Sequence, residues 1–161
     1  MTPVPIRQAV DPVDVAQARS LFEEYAAWLD VDLSFQGFAQ ELATLPGAYA
    51  PPRGRLLIAG PREAAVGCIA LRPLAADASP VSTGEVKRLY VKPDARGTGL
   101  GVRLVTTLLA EARAIGYRDL KLDTLERMTD ARRVYERLGF AECSPYYHNP
   151  YPDVVYMTRT L

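Results

Sequence analysis

Histidine and cysteine are almost missing from this chain: His148 stands alone, and Cys68 and Cys143 do not form a CxxC pair. A zinc centre built from Cys and His is thereby excluded, since such a site needs four ligands at short spacing. Both cysteines lie in apolar stretches with no base beside them, which argues against a nucleophilic thiolate. Reduced thiols are the expectation, although the sequence alone also permits a disulfide between them. Long apolar runs are scarce as well. Residues 56–59 and the Lys-interrupted 120–122 fall far short of the ~20 apolar residues of a membrane-spanning helix, and the first seven residues hold no apolar export core. The expected location is cytoplasmic, with no membrane partner. Finally, neither sign of charge is in excess: 19 Lys and Arg balance 19 Asp and Glu, so no global field draws in nucleic acid, which is not an expected partner.

What the chain does have is enough apolar content for one core. Its 161 residues are 48% hydrophobic and 24% charged, and a chain of this size buries about 70% of its unfolded surface as one compact unit. Residues 1–161 are expected to form a single domain, without repeats or linkers. Residues 4–9 read as a strand. Asp11-Pro12 then supplies the N-cap and first position of a helix whose apolar stripe is Val15, Ala18, Leu21, Phe22, Tyr25 and Leu29. Ser34 is the expected cap of a second helix reaching residue 45, before Pro46-Gly47 and Pro51-Pro52 break the chain. Residues 55–59, 65–71 and 85–91 read as strands. The first two form a hairpin through Gly60-Pro61-Arg62-Glu63, and a proline-containing stretch, 73–80, separates the third. Residues 99–115 carry the clearest helical pattern, with Leu104, Val105, Leu108, Leu109 and Ala112 on one face and Gly116 as the C-cap. A strand at 118–123, a helix at 129–138 stopped by Gly139, and a strand at 154–160 complete the order. Strand, helix and strand across 85–123 demand a crossover and therefore a parallel pair. The fold class is α/β, of the mixed or α+β kind.

The densest chemical signal runs from Val86 to Gly101: a strand, a short loop, and a glycine-rich turn that opens the best helix. Glycines there allow positive φ and let an anion approach with no Cβ in the way, while the unpaired amides of a helix start point at the charge. A phosphate or pyrophosphate suits such a turn, although a tight connection without a ligand would read the same way. The turn has no Gly-Lys-Ser/Thr ending, and glycines at 97, 99 and 101 do not give GxGxxG, so neither common nucleotide fingerprint applies.

Two motifs here belong together. Arg96, Gly97, Thr98, Gly99, Leu100 and Gly101 match the (Gln/Arg)-x-x-Gly-x-(Gly/Ala) acetyl-CoA motif, preceded by the Leu89-Tyr90-Val91 strand end. Ala131, Tyr135, Glu136, Leu138, Gly139 and Phe140 match an A-x-x-x-Y-E-x-L-G-F helix and turn. On these residues the sequence resembles the GNAT superfamily of N-acetyltransferases, closely over residues 84–140 and by element order elsewhere. The resemblance implies the GNAT acyltransferase fold, a central mixed sheet of six to seven strands flanked by four helices. It also implies transfer of an acetyl group from acetyl-CoA to a primary amine of a small molecule or peptide, by direct attack in a ternary complex and with no metal. A CoA-binding sensor without transfer activity is the alternative. One departure stands out: Met128 occupies the position, seven residues before Tyr135, where many members carry a cofactor-holding asparagine.

The resemblance assigns roles too. The pyrophosphate would rest on the turn from Arg96 to Gly101, with Leu89, Tyr90 and Val91 alongside and the Val91 amide facing the thioester carbonyl. Tyr135 would protonate the leaving thiolate, although its stripe with Ala131, Val134 and Leu138 also suits simple packing. Glu85 is the expected general base. Strict alternation sets it with Leu89 and Val91 and opposite Arg88, unless the bulge usual in the family intervenes. Arg88 offers a fork to a substrate carboxylate or to an ordinary ion pair. The aromatic, proline-bearing segment at 146–152 is expected to border the acceptor, with Tyr147 and His148 as contacts, and a homodimer is compatible with the family.

Overall fold

A computed structural model describes residues 2–74 and 82–161. Of the proline-containing stretch at 73–80, residues 75–80 lie outside the described residues.

Strand β1 (Ile6–Gln8) leads into helix α1 (Pro12–Leu29), whose N-cap Asp11 accepts the Asp14 amide at 2.9 Å with proline in the first turn. The second helix differs from expectation. Ser34 opens a single 3-10 turn, Ser34–Gln36, and Gly37 at φ +69° breaks the path before α2 (Phe38–Thr44) begins, with no side-chain cap. Strands β2 (Arg55–Ala59), β3 (Gly67–Pro73) and β4 (Thr83–Val91) follow, then α3 (Leu100–Ile115), β5 (Asp119–Leu125), α4 (Thr129–Arg137), the two-residue β6 (Ala141–Glu142) and β7 (Val154–Thr160). Together the strands form one sheet in the order β1-β2-β3-β4-β5-β7-β6. Strands β4 and β5 pair parallel, as their crossover requires, and the other neighbours pair antiparallel.

Alternation along the strands builds a core on each face. Leu57, Ile69, Leu71, Val86, Leu120 and Leu122 meet α3, whose buried stripe is Leu100, Leu104, Val105, Leu108, Leu109 and Ala112. Each of the large side chains contributes about 1.5–3 kcal/mol by leaving water. On the other face, Leu56, Ile58, Cys68 and Ala70 pack against Val15, Ala18, Leu21 and Phe22 of α1.

The parallel pair is short. Strands β4 and β5 are in register only at Thr83↔Asp119, Gly84↔Leu120 and Glu85↔Lys121. Gly84 permits that close root, because a Cβ there would sit 2.8 Å from both Leu71 and Leu120 side-chain atoms. Beyond it β4 follows β3 to Val91↔Gly67, whereas β5 follows β7 to Leu125↔Val154. The two strands therefore part, and a cleft opens through the sheet.

Candidate active site

One irregularity arranges the cleft wall. Cys68 pairs with Tyr90 and Ala70 with Lys87, so Arg88 and Leu89 together oppose Ile69. This is a β-bulge. Arg88 adopts φ +62° within it, a left-handed conformation that costs a residue with a Cβ about 1–2 kcal/mol. Its surroundings hold it there. The guanidinium donates to both oxygens of Glu41, at 2.9 and 3.0 Å, and lies 5.1 Å from the Phe38 ring centroid, while the Arg88 carbonyl accepts the Cys68 thiol at 3.3 Å. Burial opposes the charge, yet the hydrogen bonds and charge of Glu41 keep the Arg88 pKa above its ordinary value. The bulge resets the alternation: Glu85, Lys87 and Arg88 share the α1 side, while Leu89 and Val91 pack towards α3. Strict alternation would have grouped Glu85 with Leu89 and Val91; the bulge that the family resemblance allowed for is present and sets Glu85 with Arg88 instead.

At the end of β4 the Lys92 amide donates to the Val66 carbonyl at 2.8 Å. Ladder alternation therefore turns the polar groups of Val91 off β3 and towards the cleft, where its carbonyl accepts Arg96 Nε at 2.9 Å. A 3-10 turn at Pro93–Ala95 precedes Gly97 (φ +76°) and Gly99 (φ +82°), and Gly99 caps α3 without a side-chain hydrogen bond. A Cβ built on either glycine meets no atom within 4 Å. Open space thus lies over the first amides of α3, which have no intrahelical partners and carry the positive end of the helix dipole. This is a cradle for a phosphate group. It borders a groove of about 350 Å³ that runs past Val91 and Leu100 to Ala131 and Val134 of α4, and to Trp28 of α1. Arg96 lies 4.8 Å from the Trp28 ring centroid.

Where the strands part lies a smaller cavity of about 50 Å³, lined by Tyr25 and Gln36 from one face of the sheet and by Ala131 and Tyr135 from the other. Only a gap in the sheet brings both sets together. Leu89, Met128 and Ala131 line groove and cavity alike, so the two spaces meet there. Tyr135 is buried, edge-on to Phe140 at 5.4 Å, and desolvation raises its phenol above the ordinary range. Its hydroxyl has no hydrogen-bond partner among the described residues.

A chain of charges runs along the α1 side. Arg72 Nε donates to Glu85 Oε1 at 2.9 Å, and the Tyr146 hydroxyl to Glu85 Oε2 at 2.6 Å. Lys87 Nζ lies 3.7 Å from Glu85 Oε2 and 3.4 Å from Asp123 Oδ1. Asp123 Oδ2 accepts Asn149 Nδ2 at 2.9 Å and the Tyr147 hydroxyl. Desolvation lowers the Lys87 pKa against the pull of Asp123 and Glu85. Burial acts to raise the Asp123 carboxyl, but Lys87, Tyr147 and Asn149 outweigh it and hold the group below its ordinary value.

The residues singled out from sequence separate into two groups. Leu89, Tyr90, Val91, Arg96, Gly97, Gly99, Leu100 and Gly101 line the groove, and the Thr98 hydroxyl closes the turn onto the Ala95 carbonyl at 2.7 Å. Tyr135 and Arg88 line the smaller cavity, but the Arg88 fork is directed at Glu41 instead of lying open to a carboxylate. Glu85 lines neither space, and both of its oxygens are engaged. Tyr147 supports Asp123 from outside the cavity lining, and His148 is exposed. Sequence reasoning missed Trp28, Lys87, Asp123 and Asn149. For Asp123 a signal was present, since alternation from Asp119 sets it on the face opposite Leu120 and Leu122. Asn149 lies within the 146–152 segment expected to border the acceptor and Lys87 within the 86–101 stretch, though neither was singled out, and no local pattern marked Trp28.

Residues 17–140 match the family model described as Acetyltransferase (GNAT) family. An uncharacterised N-acetyltransferase of Schizosaccharomyces pombe is 40% identical over 147 residues, covering 91% of this chain and 88% of its own. An acetyltransferase structure from Streptococcus agalactiae shares the fold at a TM-score of 0.79 and 24% identity over 100% of both chains. A GNAT superfamily phosphinothricin acetyltransferase from Sinorhizobium meliloti, solved in complex with acetyl-CoA, has a TM-score of 0.73 at 21% identity over 99% of this chain and 89% of its own. Because the family model spans residues 17–140 and a relative 40% identical aligns with 91% of the chain, the chain belongs to the GNAT acetyltransferase family.

Proposed function

We propose that residues 1–161 act as one domain that transfers the acetyl group of acetyl-CoA to a primary amine of a small molecule or peptide, in a ternary complex. The observation that carries this reading is the junction at Leu89, Met128 and Ala131, where the groove beside the phosphate cradle meets the smaller cavity. Two reactants held in the two spaces can meet within the sheet, as direct attack requires. Burial raises the thiols of Cys68 and Cys143 above the ordinary range, which disfavours a covalent acyl-enzyme through either.

In the reaction a nitrogen–carbon bond forms at the thioester carbonyl and the carbon–sulfur bond breaks. The substrate ammonium gives up two protons in all, one before attack and one after, and the sulfur takes one. The amides from Gly97 to Gly101 hold the pyrophosphate. The Val91 amide, turned off β3, donates to the carbonyl oxygen as negative charge gathers there. The Tyr135 hydroxyl, kept protonated by burial and free of an internal partner, donates its proton to the departing sulfur. Met128 supplies an apolar wall where relatives often place an amide. The two free cysteines agree with a reducing compartment such as the cytoplasm.

The test is to mix the protein with acetyl-labelled acetyl-CoA and a panel of small primary amines, following thiol release and the labelled amide by mass spectrometry. Amine-dependent release with label in the amine is expected. Tight acetyl-CoA binding with no transfer to any amine would instead favour the sensor reading.

A further inference from the structure

The charges around the smaller cavity balance, but they are not equally occupied. Arg88 is held by both oxygens of Glu41, and Arg72 by Glu85 at 2.9 Å. Lys87 sits between two carboxylates, Glu85 and Asp123. Each cation lining the cavity among the described residues, Lys87 and Arg88, thus already faces an anion of the chain. Asp123 is different. Its Oδ2 accepts from Tyr147 and Asn149, whereas among the described residues Oδ1 has only the Lys87 ammonium at 3.4 Å, longer than the ~2.7–2.9 Å of a good charge-assisted hydrogen bond. A carboxylate oxygen offers two acceptor sites, so Oδ1 has capacity for further donors.

A second acceptor stands on the same wall. Gln36 Nε2 donates to the Tyr147 hydroxyl at 3.2 Å, which fixes the amide, and Gln36 Oε1 is buried with no hydrogen-bond partner among the described residues. A buried oxygen left unpaired is costly unless a ligand supplies the donor. Gln36 and Asp123 both line the cavity and both hold Tyr147. The rest of the wall combines the aliphatic side chains of Leu29, Val31, Leu33 and Leu125 with the rings of Phe35 and Tyr151.

We propose that Asp123 Oδ1 and Gln36 Oε1 together receive the N–H groups of the incoming amine, and that the acceptor is a compact monoamine with an apolar body and no carboxylate. This rests on the acetyltransferase reading and narrows its substrate. A carboxylate on the acceptor would find no unopposed cation and would be set against Asp123. The Lys87 ammonium and the Tyr147 and Asn149 hydrogen bonds keep Asp123 ionised, so it anchors the ammonium and is too weak a base to strip its proton, which passes to water. Asp123 is therefore a positioning residue for the acceptor, and Gln36 its partner.

Two measurements test this. In the wild type, 3-methylbutylamine is compared with leucine, which differs by a carboxylate on the carbon bearing the amine; the amine should have the higher kcat/KM by at least about tenfold, the loss expected when a charge meets no partner. In D123N, and more mildly in Q36L, KM for 3-methylbutylamine should rise about ten- to a hundredfold, the value of hydrogen bonds to a charged group, while acetyl-CoA affinity by calorimetry and kcat at saturation change little. The alkaline rise of kcat/KM should persist in D123N, since Asp123 is not the base. Preference for leucine, or an unchanged KM in both variants, would overturn the inference and leave the acetyltransferase reading intact. Acetyl-CoA binding without turnover of either compound or of the wider amine panel would remove that reading and this one with it. If D123N does not fold, the wild-type comparison and Q36L still decide.

Discussion

Replacing Glu41 with alanine removes the carboxylate that faces the Arg88 guanidinium along its fork, and the cost follows from burial. The two side chains are 2% and 9% exposed, and the pair makes two hydrogen bonds of 2.9 and 3.0 Å. Removing one partner of a buried pair strands the other charge and costs about 3–5 kcal/mol, against about 1 kcal/mol or less for a pair at the surface. Arg88→Met strands Glu41 instead and should cost a similar amount, partly offset because Phe38 can still pack on the new side chain. Since each single change leaves an orphan and the double change leaves none, Glu41→Ala with Arg88→Met should cost clearly less than the sum. Urea unfolding followed by circular dichroism measures all three. With m near 1–3 kcal/mol/M, the Glu41→Ala midpoint should fall by at least about 1 M. A loss below about 1 kcal/mol, with additive singles, would show that the pair behaves as a solvated one and that the bulge is held by other contacts.

Three further outcomes are expected. Gly99→Val should weaken acetyl-CoA binding at least about tenfold, because φ +82° is strained for a β-branched residue and its methyls enter the phosphate cradle; unchanged affinity by calorimetry contradicts the cradle. Tyr135→Phe should lower kcat by about ten- to a thousandfold with acetyl-CoA affinity intact, and full turnover would return Tyr135 to a packing role beside Phe140. Folding lowers the Asp123 pKa, so its stabilisation is present above the ordinary value of 3.8 and is lost as pH falls through the lower folded value. The acid limb of a melting-temperature profile should accordingly be shallower in D123N, and an identical limb refutes the assignment.

Much of the fold was legible because it rests on local rules. The stripe of α3, its bounding glycines at 99 and 116 and the hairpin at 60–63 follow from periodicity and turn chemistry. The second helix was misread because Ser34 is a good cap in isolation, whereas Gly37, three residues on, takes the left-handed turn that restarts the chain. At the site, the turn and Tyr135 were readable from motif and family likeness. The acceptor side was not, because its pairs join distant elements: Arg88 and Glu41 are 47 positions apart, and Lys87 and Asp123 are 36 apart. Glu41 on a short helix reads as a solvated charge until the bulge turns Arg88 towards it. A bulge also inverts every facing beyond it, and this separated Glu85 from Leu89 and Val91.

The most direct measurement is a crystal structure of the protein with CoA bound. The pyrophosphate is predicted on the amides from Gly97 to Gly101 at the start of α3, and the thiol end at the junction of Leu89, Met128 and Ala131, within reach of the Val91 amide and the Tyr135 hydroxyl. CoA lying elsewhere on the surface, or a thiol end that does not enter the cleft between β4 and β5, would contradict it.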